Sequence, residues 1–270
     1  MSRRQVVVKC IAAVILILLL AVSVAGTRAV AGRQYPADRL TEVPVLNYHM
    51  VEDLNISLAL SPEQFEEQIR YLAENDYHTI TPDQLLDYLE NGTSLPDKAV
   101  MITFDDGYLD NYTKAYPILK KYGFTATIFV VTSMVGTDPR FLTWDEIREM
   151  QQNGFVFGSH TVNHVAVTTI SSQQVLTELV ESSKVIEAEL GAKPKYFAYP
   201  TGAYNRQTAQ LVKTAGYKAA FTIRYGRAGV ESDHFAIERI PIFRSAKTFR
   251  SFYYRLTAAP LLERLGIIRN

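Results

Sequence analysis

The chain has 270 residues and equal numbers of acidic and basic side chains, so its formal net charge is zero. This balance does not indicate the basic surface of a nucleic-acid-binding protein, and no partner of that class is expected. A length near 250 residues suits one barrel of alternating strands and helices. The single cysteine, Cys10, lies near the N-terminus, so the rest of the chain has no disulfide and depends on its core. Nothing in the sequence indicates an obligate protein partner.

The first forty-two residues differ from the rest of the chain. Residues 1–27 carry basic side chains followed by the apolar run 10–26, and residues 28–42 form a polar spacer. This pattern predicts one hydrophobic helix that is either a single-pass membrane anchor or a cleaved signal segment. We favour the anchor, with residues 43–270 outside the cell membrane because basic residues precede the span. Cleavage near 29–31 would instead give a secreted protein.

From residue 43 onward, predicted strands and helices alternate. Strands are predicted at 43–47, 79–80, 99–104, 125–131, 156–159, 196–198, 219–223 and 237–242. Helices are predicted at 111–122, 143–152, 172–190 and 205–215, and two more begin at the capping sequences of Ser61 and Thr81. Such alternation predicts an α/β fold, a distorted (β/α) barrel of about seven to eight parallel strands. The absence of a Gly-x-Gly-x-x-Gly motif argues against a dinucleotide-binding sheet.

Two adjacent carboxylates follow the apolar strand 99–104. The sequence there is Thr103-Phe104-Asp105-Asp106-Gly107. Successive side chains at a strand end point in different directions, so one carboxylate can hold a metal while its neighbour faces water. An ordinary Asp-Gly turn is the alternative.

Two histidines, His160 and His164, follow the predicted strand 156–159. On a helical turn this spacing would bring both rings to one face. Two surface histidines are the alternative, since the Glu of a His-Glu-x-x-His motif is missing. With a carboxylate at another strand end, however, they would complete an Asp-His-His ligand set for zinc.

These motifs resemble those of the polysaccharide deacetylases of the NodB-homology type, a family of carbohydrate esterases. Tyr199-Pro200-Thr201-Gly202 is similar to the third motif of the family, and the resemblance covers residues 43–245. It implies that Asp105 is the general base and that Asp106, His160 and His164 bind a divalent metal ion, with zinc expected. The segment 44–49 further resembles the opening strand of the subgroup that deacetylates exported poly-N-acetylglucosamine.

The chain departs from the family pattern in several places, which include the Arg that orients the catalytic Asp, an Asp-Trp pair and the usual general acid. Many members carry an Arg that orients the catalytic Asp where this chain has Ala198. Arg239 is a candidate for that role, with a surface or structural Arg as the alternative. No Leu-x-His motif supplies a general acid, so His49, at the end of the first strand, is the candidate acid or site-orienting donor. Its alternative role is a hydrogen bond to a neighbouring loop.

The expected reaction is metal-dependent hydrolysis of N-acetyl groups on an extracellular N-acetylglucosamine-containing polysaccharide, with release of acetate. Poly-N-acetylglucosamine and peptidoglycan are both candidate substrates. The backbone N–H of Thr201 is the positional candidate for binding the oxyanion, with Tyr199 and Pro200 beside it on the substrate side. A non-catalytic glycan-binding relative, and an O-deacetylase or amidase on the same fold, are the alternatives.

Overall fold

The computed structural model describes residues 42–245, 248–259 and 262. The predicted anchor or signal segment, with its hydrophobic helix, and the spacer up to residue 41 lie outside these residues. Within the described part of the chain, no helix combines the length and the apolar character needed to cross a membrane.

Ten strands and seven α-helices are described in this part of the chain. The strands are β1 (Val45–Tyr48), β2 (Met50–Val51), β3 (Ala59–Leu60), β4 (His78–Thr79), β5 (Ala99–Phe104), β6 (Thr127–Val130), β7 (Val156–Ser159), β8 (Tyr196–Ala198), β9 (Ala219–Tyr225) and β10 (Ile237–Pro241). The helices are α1 (Pro62–Glu74), α2 (Pro82–Asn91), α3 (Tyr116–Lys121), α4 (Trp144–Gln152), α5 (Ser172–Leu190), α6 (Arg206–Thr214) and α7 (Thr248–Tyr253).

The sheet closes on itself. Its strands follow the order β1-β10-β9-β8-β7-β6-β5-β4, and β1 also pairs with β5. Seven parallel strands therefore form a closed barrel, and β4 is an extra strand alongside the first residues of β5. Closure removes free strand edges and brings all strand carboxyl ends to one face, where barrels of this kind carry their chemistry. The predicted α/β barrel is confirmed.

Side chains of β5 alternate between the inside and the outside of the barrel, as the period of a strand requires. Val100, Ile102 and Phe104 join the larger hydrophobic cluster with α1 and α4, whereas Ala99 and Met101 join the cluster that contains residues of β1, β9 and α2. Both faces of β5 are buried, which is typical of a parallel strand covered by helices.

The helices begin at the polar caps that the sequence predicts. Ser61 and Thr81 each accept a hydrogen bond from the backbone of the third helical residue, and a glutamine at that position bonds back, which completes a capping box. Capping boxes also begin α4, α5 and α6, with Glu146, Gln174 and Thr208 at the third helical position.

Three local features differ from the predictions. The helix predicted at 111–122 consists of a π-helical turn, Asn111–Ala115, followed by α3. A two-stranded sheet of β2 and β3, and the C-terminal helix α7, were not predicted. Each of these elements is short and packs through non-local contacts, so local periodicity gives little signal for it.

Candidate active site

The Asp105 carboxylate lies at the carboxyl end of β5 and forms an ion pair with Arg239. The guanidinium donates two parallel hydrogen bonds, Nη1 to Oδ1 at 2.8 Å and Nη2 to Oδ2 at 2.6 Å. Only 1% of Asp105 and none of Arg239 is exposed. Burial opposes the ionisation of Asp105, but the charge and hydrogen bonds of Arg239 outweigh it and hold the pKa of this carboxyl below its usual range. Asp105 is therefore a fixed carboxylate.

Arg239 is itself held by two further acceptors. Its Nε donates to the Thr222 carbonyl oxygen at 2.7 Å, and its Nη1 donates to Thr103 Oγ1 at 3.1 Å. A register shift in β10 between Ile237 and Arg239 accompanies this placement. Arg239 thus bonds Asp105, although it is Ala198 that occupies the position of the Arg in many family members. The role of Arg239 in orienting the catalytic Asp stays a prediction.

Asn47 is a site residue that the sequence analysis missed. It is fully buried in β1, and its Nδ2 donates to Asp105 Oδ2 at 3.1 Å. A polar side chain within the apolar run of β1 was a signal that could have identified it, because buried polar groups usually have hydrogen-bond partners.

Asp106, His160 and His164 form a cluster whose ligand atoms all lie within 4.8 Å of one another. Asp106 has a left-handed backbone, with φ of 74°. The Nε2 atoms of His160 and His164 lie 3.4 and 3.2 Å from Asp106 Oδ1. Neither approach has the geometry of a hydrogen bond, and Oδ1 remains buried without a partner. Two imidazole nitrogens and an unpartnered carboxylate oxygen fit a divalent transition metal such as zinc.

The charges around this cluster also favour a cation. Burial disfavours ionisation of Asp106, yet interactions with His160 and His164 prevail and lower the pKa of Asp106. Burial likewise disfavours the imidazolium of His160, but Asp106 and Asp105 together raise the pKa of His160. Since Asp105 is paired with Arg239, the charge beside the two imidazoles that lacks a fixed cationic partner is that of Asp106, and a bound cation would neutralise it.

The two histidines do not meet on a helical turn, so that part of the prediction was wrong. Residues 160–164 form a loop after β7, in which Thr161 and His164 have left-handed backbones with φ of 70° and 56°. His160 Nδ1 is hydrogen-bonded to the Ala198 carbonyl oxygen at 2.8 Å, which fixes its ring. The rings still come within 4.9 Å, centre to centre, because the loop folds back on itself.

His49 lies on the same face, immediately after β1. Its Nε2 is 4.0 Å from Asp105 Oδ2, and its Nδ1 is buried without a hydrogen bond. Burial lowers the pKa of His49, and Asp105 offsets only part of this effect. The backbone oxygen of His49 accepts a hydrogen bond from Asn111 Nδ2 at 2.8 Å. His49 is thus held beside the candidate base, and its role as an acid stays a prediction.

The third motif contributes backbone to this face, but not the ring of Tyr199. Thr201 is exposed and has a left-handed backbone with φ of 59°, and Pro200 is buried at the start of the same turn. Tyr199 packs in the outer cluster between the barrel and helices α5 and α6, where its hydroxyl donates to the Phe235 carbonyl oxygen. The Tyr199 ring is therefore unavailable to a substrate, which corrects the prediction that placed this residue on the substrate side.

The barrel carries its cluster of polar residues at the carboxyl ends of the strands, as enzymes with α/β barrels do. The family model for polysaccharide deacetylase matches residues 92–220. The Bacillus subtilis protein YxkH, whose name assigns it provisionally to the polysaccharide deacetylases, is 34% identical over 76% of this chain and 73% of its own length. The chain belongs to the polysaccharide deacetylase family, whose members hydrolyse carbon–nitrogen bonds other than peptide bonds.

Other similar proteins support this assignment. Poly-beta-1,6-N-acetyl-D-glucosamine N-deacetylase of Staphylococcus aureus is 30% identical over 73% of this chain and 77% of that protein. The deacetylase PplD of Streptococcus pyogenes, solved in complex with acetate, aligns with a TM-score of 0.75 and 30% identity over 80% of this chain and 99% of that one. IcaB from Ammonifex degensii aligns with a TM-score of 0.69 and 28% identity over 80% and 97%, respectively.

Proposed function

We propose that this protein is a zinc-dependent N-deacetylase of an extracellular N-acetylglucosamine polysaccharide, releasing acetate and leaving a free amine on the sugar. One observation carries the proposal. Two consecutive carboxylates have different surroundings, since Asp105 is held by Arg239 while Asp106 faces His160 and His164. This division supplies a base and a ligand set side by side, as metal-assisted hydrolysis requires.

Asp106, His160 and His164 would hold the metal ion. When bound, a divalent ion supplies a Lewis acid that lowers the pKa of water and polarises the acetamide carbonyl. Asp105 removes the proton from the attacking water, and the two hydrogen bonds from Arg239 orient the Asp105 carboxylate for this transfer.

Two further groups complete the proposed reaction. The Thr201 backbone N–H, at the exposed turn after β8, donates to the oxyanion. His49, 4.0 Å from Asp105, delivers the proton to the departing amine or orients the base. Both roles use groups at carboxyl ends of barrel strands, which is the face where substrate binds in such folds.

The substrate class is supported by relatives. The Staphylococcus aureus relative is named for poly-beta-1,6-N-acetyl-D-glucosamine. Poly-N-acetylglucosamine is therefore the first substrate to test, and peptidoglycan the second. The retained base and ligand set favour an enzyme over a non-catalytic glycan-binding relative.

The test is acetate release by the full-length chain from poly-β-1,6-N-acetylglucosamine, peptidoglycan and an O-acetylated glycan, with and without a chelator. Wild-type protein should release acetate from an N-acetylated polymer, lose activity on chelation and regain it with zinc. His160→Ala and His164→Ala should lose both tight zinc binding and activity, because two protein ligands rarely hold zinc firmly. Asp105→Asn should keep zinc and lose turnover.

Three results would contradict the proposal. Full turnover by Asp105→Asn would remove the assigned base. Activity that survives complete metal removal would remove the assigned metal. Release from the O-acetylated glycan alone would make the enzyme an O-deacetylase.

We further propose that residues 1–27 anchor the enzyme in the cell membrane, with residues 43–270 forming the catalytic domain outside. Full-length protein should then remain in the membrane fraction, and protease added outside the cell should digest the catalytic domain. A soluble product beginning near Gly32 would indicate cleavage and secretion instead.

A further inference from the structure

The loop that carries both histidine ligands has an unfavourable backbone. Thr161 and His164 adopt left-handed φ angles of 70° and 56°, a region that residues other than glycine seldom occupy. Such a conformation persists only where its surroundings over-determine it. The contacts that hold residues 161–164 therefore decide where the His164 ring lies.

One carboxylate outside the loop accepts three of its hydrogen bonds. Glu178 Oε2 accepts from the backbone N–H of Val162 at 2.9 Å and of Asn163 at 3.0 Å. Its Oε1 accepts from Asn163 Nδ2 at 2.7 Å. Glu178 thereby pairs two consecutive backbone donors of a loop that has no regular structure of its own.

The helix that carries Glu178 is a rigid support. Helix α5 begins with a capping box at Ser171 and buries Val175 and Leu179 against the barrel. The carboxylate is therefore presented from a fixed backbone, which suits a group that has to position a loop.

The two histidines depend on this loop to different degrees. The His160 side chain is 2% exposed, and its Nδ1 is fixed by the Ala198 carbonyl oxygen. The His164 side chain is 37% exposed, so packing constrains its ring less. Its backbone N–H donates to Thr161 Oγ1 at 2.9 Å, which ties its position to the conformation of the loop.

We infer that Glu178 is a positioning residue for the metal site, which holds His164 in place through Val162 and Asn163. This inference rests on the proposed function, because it assumes that His164 binds the metal ion. Removing Glu178 should therefore weaken metal binding without removing a ligand. Groups that orient metal ligands commonly contribute 10- to 100-fold to affinity, as an order of magnitude.

The chain offers graded variants and a matched control. Glu178→Gln keeps a carbonyl oxygen that can accept from both backbone N–H groups and loses only the acceptor for Asn163 Nδ2. Glu178→Asp keeps the charge but shortens the arm by one methylene. Glu178→Ala removes all three acceptors. Glu181, on the same helix and paired with Lys184 at 2.8 Å, provides the control Glu181→Ala.

The experiment measures the zinc dissociation constant of each full-length variant by competition with a chromophoric chelator, and the melting temperature of each metal-free protein. Glu178→Ala should bind zinc roughly 10- to 100-fold more weakly than wild type. Glu178→Gln should recover most of that loss, and Glu178→Asp should show a part of it. Glu181→Ala should match wild type.

Several outcomes would overturn the inference. Unchanged zinc affinity in Glu178→Ala, or an equal loss in Glu181→Ala, would do so. A lower melting temperature with unchanged zinc affinity would leave Glu178 with a merely structural role. If Glu178→Ala does not fold, wild-type affinity in Glu178→Asp would decide against the inference. Failure of wild-type protein to bind zinc would instead overturn the proposed function.

Discussion

Replacing Arg239 tests how much its buried ion pair with Asp105 contributes to the stability and turnover of the protein. Arg239→Met preserves most of the side-chain volume but removes four hydrogen bonds, of which two go to Asp105, one to Thr103 Oγ1 and one to the Thr222 carbonyl oxygen. Both members of the ion pair are almost completely buried. The variant therefore leaves a buried carboxylate with Asn47 as its remaining side-chain donor among the described residues.

The expected cost follows from that burial. Breaking a buried pair by removing one partner destabilises a protein by roughly 3–5 kcal/mol, because the remaining charge is uncompensated. Domain stabilities are about 5–15 kcal/mol, so the variant should still fold but unfold at a clearly lower urea concentration. Arg239→Lys keeps a charge but cannot form the two parallel bonds, and its loss should be intermediate.

The assay is urea unfolding of metal-free wild type and variants, in the native and in an Asp105→Asn background. Removing Arg239 should cost clearly less in the Asp105→Asn background, because no buried charge is then left unpaired. Arg148→Met is the control, since Arg148 pairs with Asp145 and Glu189 on the surface, and it should change the free energy of unfolding far less.

Turnover provides a second measure of Arg239. A small displacement of a catalytic group can lower turnover by about 10²-fold, so Arg239→Met should lose at least that much at full zinc occupancy. An equal unfolding cost in both backgrounds, or a cost under about 1 kcal/mol, would refute the argument from the buried pair.

Two other predictions concern His49, which follows β1, and Asp110, whose Oδ1 accepts a hydrogen bond from the backbone N–H of Val51 at 2.9 Å. His49→Ala should lower turnover by roughly 10²-fold or more at unchanged zinc content, as expected for an acid–base group. Near-normal turnover would contradict this role and indicate that Asp105 returns its proton to the amine. Burial raises the pKa of Asp110 to about 6, so the folded protein binds this proton more tightly than the unfolded chain and loses stability as pH rises from about 4 to 6. The Asp110→Asn side chain does not ionise, so in urea unfolding the variant should gain about 2 kcal/mol in the free energy of unfolding relative to wild type between pH 4 and pH 7. A difference that does not change with pH would contradict this.

Much of the barrel could be predicted from local signals. The capping sequences at Ser61 and Thr81 lie within one helical turn, and their side chains make the predicted bonds. The apolar run of β5 is buried on both faces, as a parallel strand requires. These features depend on residues close together in the sequence, so the sequence alone indicates them.

The sequence predicted which residues form the candidate site better than it predicted how their backbones are arranged. Asp105, Asp106, His160 and His164 do meet, as expected for polar residues at the carboxyl ends of parallel strands. The helical-turn argument for the two histidines was nevertheless wrong, because their spacing does not reveal that the loop adopts left-handed backbones. Glu178 was not identified either, since it lies 15 residues beyond Asn163 in a helix whose facing residues are set by tertiary packing.

Closure of the barrel explains how Arg239 can reach Asp105 although Ala198 occupies the position where many family members have an Arg. Arg239 and Asp105 are 134 residues apart, yet β10 pairs with β1 and β1 pairs with β5. Side chains that point inward from these strands converge near the barrel axis, so a long guanidinium can reach the same carboxylate from more than one strand. Ala198 meanwhile serves through its carbonyl oxygen, which fixes the ring of His160. Arg239 thus bonds the candidate base, and Ala198 bonds a candidate metal ligand.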